Sequence, residues 1–345
     1  MIKAVIVGST GYTGVELVRI LSKHLKVKII GFVSKNYVGK RYSEVYSHFH
    51  NIVDMTCEEL NIDRISKSDV VFLALPHGRS VEIAKELVTR GKKVVDLGAD
   101  FRLNDALEYE KWYGVEHKAV ELLSKTVYGL PEVNREKIKD AKLIANPGCY
   151  PTTVILGLAP LIKYKLVDLN SIVVDSKSGV SGAGRSLSLK THFSEVDENL
   201  SAYAVKAHRH IPEMEQELCK IAGTQVKLCF TPHLIPMTRG MLSTIYVDLR
   251  SDVSEEELYD LYFEFYKDEY FIRVLSLGEF PKTKAVLGSN FCDLALALDS
   301  RTNKVKVLSA IDNLVKGAAG QAVQNMNIMF GLNEQTGLDF VPLYP

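Results

Sequence analysis

The N-terminal stretch constrains the fold of this chain more than any other. Ile2 to Val7 is an unbroken apolar run, the pattern of a central parallel strand covered on both faces. The glycine-rich run Gly8, Ser9, Thr10, Gly11, Tyr12, Thr13, Gly14 follows. Val15, Leu17, Val18, Ile20 and Leu21 then mark one face of a helix, and Val27 to Val33 returns as a second strand. A βαβ unit with its glycines at the first turn places a dinucleotide pyrophosphate on helix N–H groups, so Gly8 to Gly14 are the expected cofactor loop. The spacing is G-x-x-G-x-x-G, one residue longer at the first gap than the usual fingerprint; its place between buried strand and helix carries the reading.

The end of the second strand bears on cofactor choice. An NAD site would put Asp or Glu there to hold the ribose hydroxyls, whereas this chain has Ser34-Lys35-Asn36. Ser34 and Lys35, with help from Lys40, can donate to a 2′-phosphate, so NADP(H) is the expected cofactor. The alternation continues with a strand at 69–75, a helix at 80–90 and a strand at 93–97. The 69–75 strand runs into Pro76-His77-Gly78 at the sheet's carboxyl edge, where ligands of open α/β sheets bind. Pro76 and His77 are thus expected beside the cofactor, the alternative for His77 being a loop histidine without chemical task. Arg102 either binds an anion or pairs with Asp100. Residues 104–142 read as irregular, aromatic and charged.

A chain of 345 residues exceeds the usual size of one core, so two domains are expected. Lys plus Arg and Asp plus Glu both total 42, which removes a global electrostatic argument for nucleic acid or an anionic membrane. The five cysteines form no CxxC pair, so neither a zinc site nor a disulfide framework is suggested. With no signal-length or membrane-length apolar run, the expected compartment is the cytoplasm.

Near the middle lies Asn146-Pro147-Gly148-Cys149-Tyr150-Pro151-Thr152, between a short strand at 142–145 and an apolar helix at 153–162. A cysteine at a strand-to-helix turn sits beside unpaired backbone N–H groups. These lower a thiol's pKa and can hold an oxyanion on a substrate carbonyl. The competing reading is a small buried hydrophobe, the usual state of a free cysteine.

Further on, a strand at 171–178 opens into Gly179-Val180-Ser181-Gly182-Ala183-Gly184-Arg185, whose glycines, serines and arginine suit an anion-binding nest or a flexible connection. Ala207-His208-Arg209-His210-Ile211-Pro212-Glu213 leads into a helix that Pro212 starts. Two histidines without a third ligand nearby favour acid–base work over metal binding. The second half is otherwise mainly strand, at 226–230, 242–249, 291–298 and 305–311, with a helix at 255–267. Such a sheet, covered by helices on one face, leaves its other face to bury another subunit. The last helix, 312–329, carries small residues at Gly317, Ala318, Ala319 and Gly320; they allow close helix packing or the approach of a cofactor ring.

GSTGYTG, LGADFR, NPGCYPT, SGVSGAGR, AHRHIPE and NLVKGAAGQAVQNMN occur in this order across nearly the whole chain. Together they resemble the N-acetyl-gamma-glutamyl-phosphate reductases, relatives of the aspartate-semialdehyde dehydrogenases. The resemblance implies an α/β protein: a Rossmann-like parallel sheet completed by the C-terminal helix, plus an α+β catalytic and oligomerisation domain. The expected boundaries are 1–148 with 312–345, and 149–311. It further implies NADPH-dependent reduction of N-acetyl-γ-glutamyl phosphate to the 5-semialdehyde with release of phosphate, in a homodimer or homotetramer.

By that resemblance Cys149 is the nucleophile and His210 the acid–base, with Glu213 expected to fix its ring. His208, Arg209, Arg185, Arg239 and Ser178 are the expected substrate and phosphate ligands. Ser181, Gly182 and Asn313 join the expected cofactor residues. Residue chemistry leaves open a sister acyl phosphate, such as aspartyl phosphate or an aminoadipyl derivative, and a non-catalytic NADP-sensing protein. The division of roles between His208 and His210 also stays open.

Overall fold

The computed structural model describes Met1–Tyr344. Two compact units emerge among the described residues: Met1–Pro147 with Ala318–Phe340, and Gly148–Gly317 with residues 341–344.

In the first unit, β1 (Ile2–Val7), β2 (Val27–Val33), β3 (Cys57–Glu58), β4 (Val70–Leu73), β5 (Lys93–Asp96), β6 (Val127–Tyr128) and β7 (Leu143–Ala145) make one parallel sheet in the order β3-β2-β1-β4-β5-β7-β6. Strand order reverses between β1 and β4, which opens a crevice at the carboxyl ends of those two strands. Val5, Val7, Val71, Leu73, Val94 and Ala145 build one side of the core. Helix α1 (Tyr12–Leu21) follows β1 and α2 (Val81–Thr89) precedes β5. The helix Gly320–Met329 packs on α1 and β5, supplying a cover that the first half of the chain lacks.

Residues 104–142 are more regular than expected. They form α3 (Ala106–Tyr113) and α4 (Pro131–Lys139) besides β6. The reason is end chemistry. Asp105 accepts from the N–H groups of Leu107 and Glu108, Gly114 closes α3 at φ 67, and Pro131 takes the first position of α4.

In the second unit, β8 (Val173–Ser178), β9 (Ser201–Ala202), β10 (Cys229–Leu234), β11 (Met241–Asp248), β12 (Ile272–Val274), β13 (Cys292–Asp299) and β14 (Lys304–Ile311) form a mixed sheet in the order β12-β13-β14-β11-β8-β10-β9. Helix α5 (Cys149–Lys163) lies on β11 and β14. Helix α6 (Ile211–Ala222) packs on α5, and α7 (Glu255–Tyr266) on α5 and β13. Along β11, Met241, Ser243, Ile245 and Val247 are buried while Leu242, Thr244, Tyr246 and Asp248 alternate on the other face.

Some expected element boundaries move. The strand expected at 226–230 runs over Cys229–Leu234, because the Val226 N–H is bonded to Cys219 Sγ and pairing with β8 begins at Cys229. The last helix opens with a π-turn at Val315–Ala319 and becomes regular only at Gly320. Residues 312–317 group with the second unit. Asp312 Oδ2 accepts the Gly288 N–H and Asn313 Oδ1 accepts the Gly240 N–H, each at 2.8 Å. Leu343 N–H likewise donates to Leu287 O at 2.8 Å, drawing the C-terminal residues to the second unit. Gly148 also groups with the second unit, through its bond to Glu213.

Asp96 ends β5 with no exposed surface. Burial first, and the neighbouring Asp100 carboxylate second, push its carboxyl up from 3.8 to about 7. The folded chain then holds a proton that the unfolded chain has released, so stability falls as pH rises through that interval. Replacing Asp96 by Asn, which keeps an acceptor for the Gly98 N–H, is expected to raise Tm at pH 8. The gain should shrink toward pH 5, as calorimetry across the two pH values would read.

Candidate active site

In the first unit the crevice between β1 and β4 is lined by the glycine turn. Gly8 has φ +85, and a Cβ there would lie 2.2 Å from Ala74 O; at Gly14 it would lie 2.3 Å from Gly8 O. Both glycines are demanded by packing. At Gly11 an added Cβ would meet nothing nearer than Gly8 O at 3.6 Å, so backbone and not packing is what this position presents. Gly11 is also the N-cap of α1, without a side-chain cap bond. A diphosphate has room to approach N–H groups of the first turn there, and the residues fit a dinucleotide.

The loop is braced by two tyrosines that sequence reasoning missed. Tyr42 and Tyr46 donate from their hydroxyls to Ser9 O and Thr10 O, each at 2.8 Å. These contacts span 33 and 36 residues, so no local pattern reveals them.

The other expected cofactor residues sort themselves. Ser34 is buried with its hydroxyl 2.8 Å from that of Thr10, so it joins the turn to β2. Lys35 and Tyr12 are exposed. Pro76 and His77 are exposed at the exit of β4, the His77 ring 5.6 Å from that of Tyr113. Arg102 donates to the carbonyls of Asn146 (2.8 Å) and Leu97 (2.9 Å). Asp100 accepts from the N–H groups of Gly78 (2.6 Å) and Ser80 (2.9 Å) and from Tyr109 Oη (2.8 Å). Both side chains thus brace backbone at the sheet's carboxyl edge.

In the second unit Cys149 is the first residue of α5, with Gly148 as N-cap. The helix therefore starts at the cysteine itself, four residues earlier than its apolar pattern suggested. Pro151 has no N–H and Thr152 N–H returns to Gly148 O, so the first-turn donors are those of Cys149 and Tyr150. Cys149 is half-buried. Its back is against the π-turn: a Cβ added to Gly317 would lie 2.8 Å from Cys149 Cβ and 3.2 Å from its Cα. Close packing is thus the role of this glycine, and what it packs against is the cysteine.

Glu213 joins the two stretches that carry the candidate chemistry. It is fully buried on α6, and its Oε1 accepts the Gly148 N–H at 2.8 Å. This bond gives Glu213 a hold on the Cys149 turn. His210 is the N-cap of α6. Its ring centroid lies 4.8 Å from that of His208 and 6.0 Å from that of Tyr150, and the Tyr150 and His208 centroids are 5.3 Å apart. Cys149, Tyr150, His208, His210 and Glu213 are thereby gathered where α5 and α6 begin.

Tyr203 donates to Tyr150 Oη at 3.1 Å. Burial raises the pKa of both phenols, Tyr203 to about 12, so both remain protonated at neutral pH. Burial, with help from Arg209, lowers His208 to about 4, which leaves it neutral.

Of the expected ligands, Arg185 and Arg209 are exposed. Arg239 Nη1 lies 3.6 Å from the buried Asp312 carboxylate. Ser178 is buried and donates to Gly179 O at 3.1 Å. Asn313, expected at the cofactor, donates to Ser181 Oγ at 2.9 Å while its oxygen accepts the Gly240 N–H; with Gly182 these residues brace the 179–185 loop inside the second unit. Among the described residues no group of three or more His, Cys, Asp or Glu could hold a metal ion, and no helix is long and apolar enough to cross a membrane.

Curated proteins match this chain end to end. The N-acetyl-gamma-glutamyl-phosphate reductase of Desulforudis audaxviator is 58% identical over 100% of both chains. That of Pelotomaculum thermopropionicum is 57% identical over 100% of this chain and 99% of its own. The chain belongs to the N-acetyl-gamma-glutamyl-phosphate reductase family.

Within that family's wider group, residues 3–141 match the semialdehyde dehydrogenase NAD binding domain and residues 149–313 its dimerisation domain. Among solved structures, aspartate semialdehyde dehydrogenase II of Vibrio cholerae complexed with ASA aligns with a TM-score of 0.73 at 18% identity, covering 96% of this chain and 98% of that one. The Candida albicans aspartate semialdehyde dehydrogenase with NADP gives 0.72 at 19% identity, with 96% and 98% coverage. At such identities the likeness speaks for the fold alone.

The Gly317 contact gives a test of the site. Gly317→Ala should displace the Cys149 turn, slowing both turnover and alkylation of Cys149 by iodoacetamide by about tenfold or more, as a misplacement approaching 1 Å does. An unchanged alkylation rate in a folded variant would show that Gly317 does not govern the cysteine's placement.

Proposed function

We propose that this chain reduces N-acetyl-γ-glutamyl phosphate to N-acetylglutamate 5-semialdehyde, releasing phosphate, with NADPH as reductant and Cys149 as the covalent carrier of the acyl group. The observation that carries the reading is the meeting of Cys149, on the first turn of α5, with the Glu213 and His210 end of α6, in a chain 58% identical to a reductase of that name.

Cys149 Sγ, as thiolate, attacks the acyl carbon, and the phosphate leaves with the bonding pair of the broken C–O bond, leaving a thioester. His210 takes the Sγ proton and later holds one for the carbonyl oxygen. The Cys149 and Tyr150 N–H groups face the developing oxyanion. Glu213, by holding the Gly148 N–H, keeps that turn in register with His210. NADPH, when bound, would supply the hydride that takes the acyl carbon to the aldehyde oxidation level; as the carbonyl re-forms, the C–S bond breaks with its electron pair returning to Cys149 Sγ and the oxygen's proton passing to His210. The Gly8–Gly14 turn holds its diphosphate, and Lys35, with no carboxylate at the end of β2, favours the 2′-phosphate. Arg185, Arg209 and Arg239 are the cations for phosphate and substrate carboxylate.

The matched dimerisation domain supports self-association. A second copy is placed on the open face of the mixed sheet, where Leu242, Tyr246 and Leu308 alternate with buried neighbours. The cytoplasm is the proposed compartment.

The reverse reaction tests the assignment. N-acetylglutamate semialdehyde, phosphate and NADP⁺ should give a nicotinamide absorbance rise that aspartate semialdehyde or NAD⁺ matches poorly; equal rates with aspartate semialdehyde would overturn the substrate. Cys149→Ala should abolish the rise while leaving NADPH binding intact, and His210→Asn should lower it by about two to four orders of magnitude. Leu308→Glu, a charge on the open sheet face, should shift the mass measured by light scattering toward the monomer.

A further inference from the structure

His208 and His210 stand two residues apart, and their backbone geometry separates their roles. His210 occupies the N-cap of α6 at φ −82 and ψ −11, without a side-chain cap bond. An N-cap residue ordinarily has extended dihedrals and a side chain turned back onto its own helix. Here the imidazole is not spent on capping, and another group must fix the residue. That group is His208: the His210 backbone N–H donates to His208 Nδ1 at 3.1 Å.

For Nδ1 to accept, it must carry no proton, so the neutral ring holds its hydrogen on Nε2. The surroundings hold the ring in that state and place. Tyr150, Tyr203, Phe230 and His210 stand around it at centroid distances of 5.3, 5.6, 5.4 and 4.8 Å, the Tyr150 and Phe230 planes nearly perpendicular to its own at 89° and 82°. The Tyr203 to Tyr150 hydroxyl bond closes two of these walls on each other. No carboxylate stands among these ring neighbours, and the adjacent residue is Arg209, so burial and a like charge both disfavour the imidazolium.

We propose that His208 is a positioning residue: by accepting the His210 N–H at Nδ1 it sets the backbone, and through it the imidazole, of His210, and it exchanges no proton during turnover. This rests on the reading of His210 as acid–base given above.

Three variants separate this role from its rivals. Asn puts its Oδ1 where Nδ1 stands, two bonds from Cβ; Gln puts an oxygen nearer the place of Nε2; Phe fills the ring volume with neither. His208→Phe and His208→Gln are expected to lower kcat by about tenfold to a hundredfold with little change in KM, as loss of alignment does. His208→Asn should recover most of that loss. Equal, deep losses in all three would make His208 a proton carrier, and rescue by Gln instead of Asn would make it a substrate ligand through Nε2; either result overturns the proposal. So would full activity in His208→Phe.

A second readout does not depend on the reductase assignment. Nitrogen-15 NMR of the full-length protein should show His208 as the neutral Nε2–H tautomer throughout pH 5.5 to 8.5. An Nδ1–H tautomer, or titration near pH 6.5, would refute the geometry even if the substrate proved to be another acyl phosphate. Failure of the reverse reaction with NMR as expected would instead count against the proposed function alone.

Discussion

One hydrogen bond holds the chemistry of this chain together: the buried Glu213 carboxylate accepting the N–H of Gly148. A carboxylate without solvent is costly unless its oxygens are satisfied, and a helix start buried without partners for its N–H groups is costly too. Each group meets the other's need. Because Gly148 precedes Cys149 and Glu213 follows His210 at the start of the same helix, the bond ties the Cys149 stretch to the His210 stretch. The electrostatic gain and the geometric constraint are therefore one interaction.

Behind Cys149 the same economy appears in backbone terms. Asp312 bonds the N–H groups of Gly288, Leu314 and Val315 and has Arg239 at 3.6 Å. It thereby sets the π-turn that presents Gly317 to the cysteine. π-Turns recur at functional sites because they move a few residues out of the α-helical register, and here the moved residue is the one with no side chain. Arg239 thus bears on the Cys149 turn through Asp312.

Much of this could be read from the residues in order, wherever the cause is local. The buried strand, glycine turn and amphipathic helix at the N-terminus obey short periods, and Asn146-Pro147-Gly148-Cys149 announces a strand-to-helix turn. What escaped reading is contact across sequence. Tyr42 and Tyr46 hold the glycine loop from more than thirty residues away, Glu213 meets Gly148 across 65, and Asn313 braces Ser181 across 132. Misreading 104–142 as irregular had another cause: its helices are short, and Asp105, Gly114 and Pro131 mark their ends more clearly than hydrophobic period marks their middles. The shift of the strand from 226–230 to Cys229–Leu234 came from pairing with β8, which no single strand encodes.

The parallel sheet has all of its strands by Ala145, yet one helix that lies on it, Gly320–Met329, is about 175 residues further along, which at ~5–20 residues per second is on the order of ten to thirty seconds of translation. Throughout that interval apolar surface on α1 and β5 awaits its cover while Gly148–Gly317 of the second unit is being synthesised. The nascent chain is thus a natural client for chaperones that shield exposed hydrophobic faces, and a truncated product ending before that helix would be expected to aggregate rather than survive as a free nucleotide-binding module.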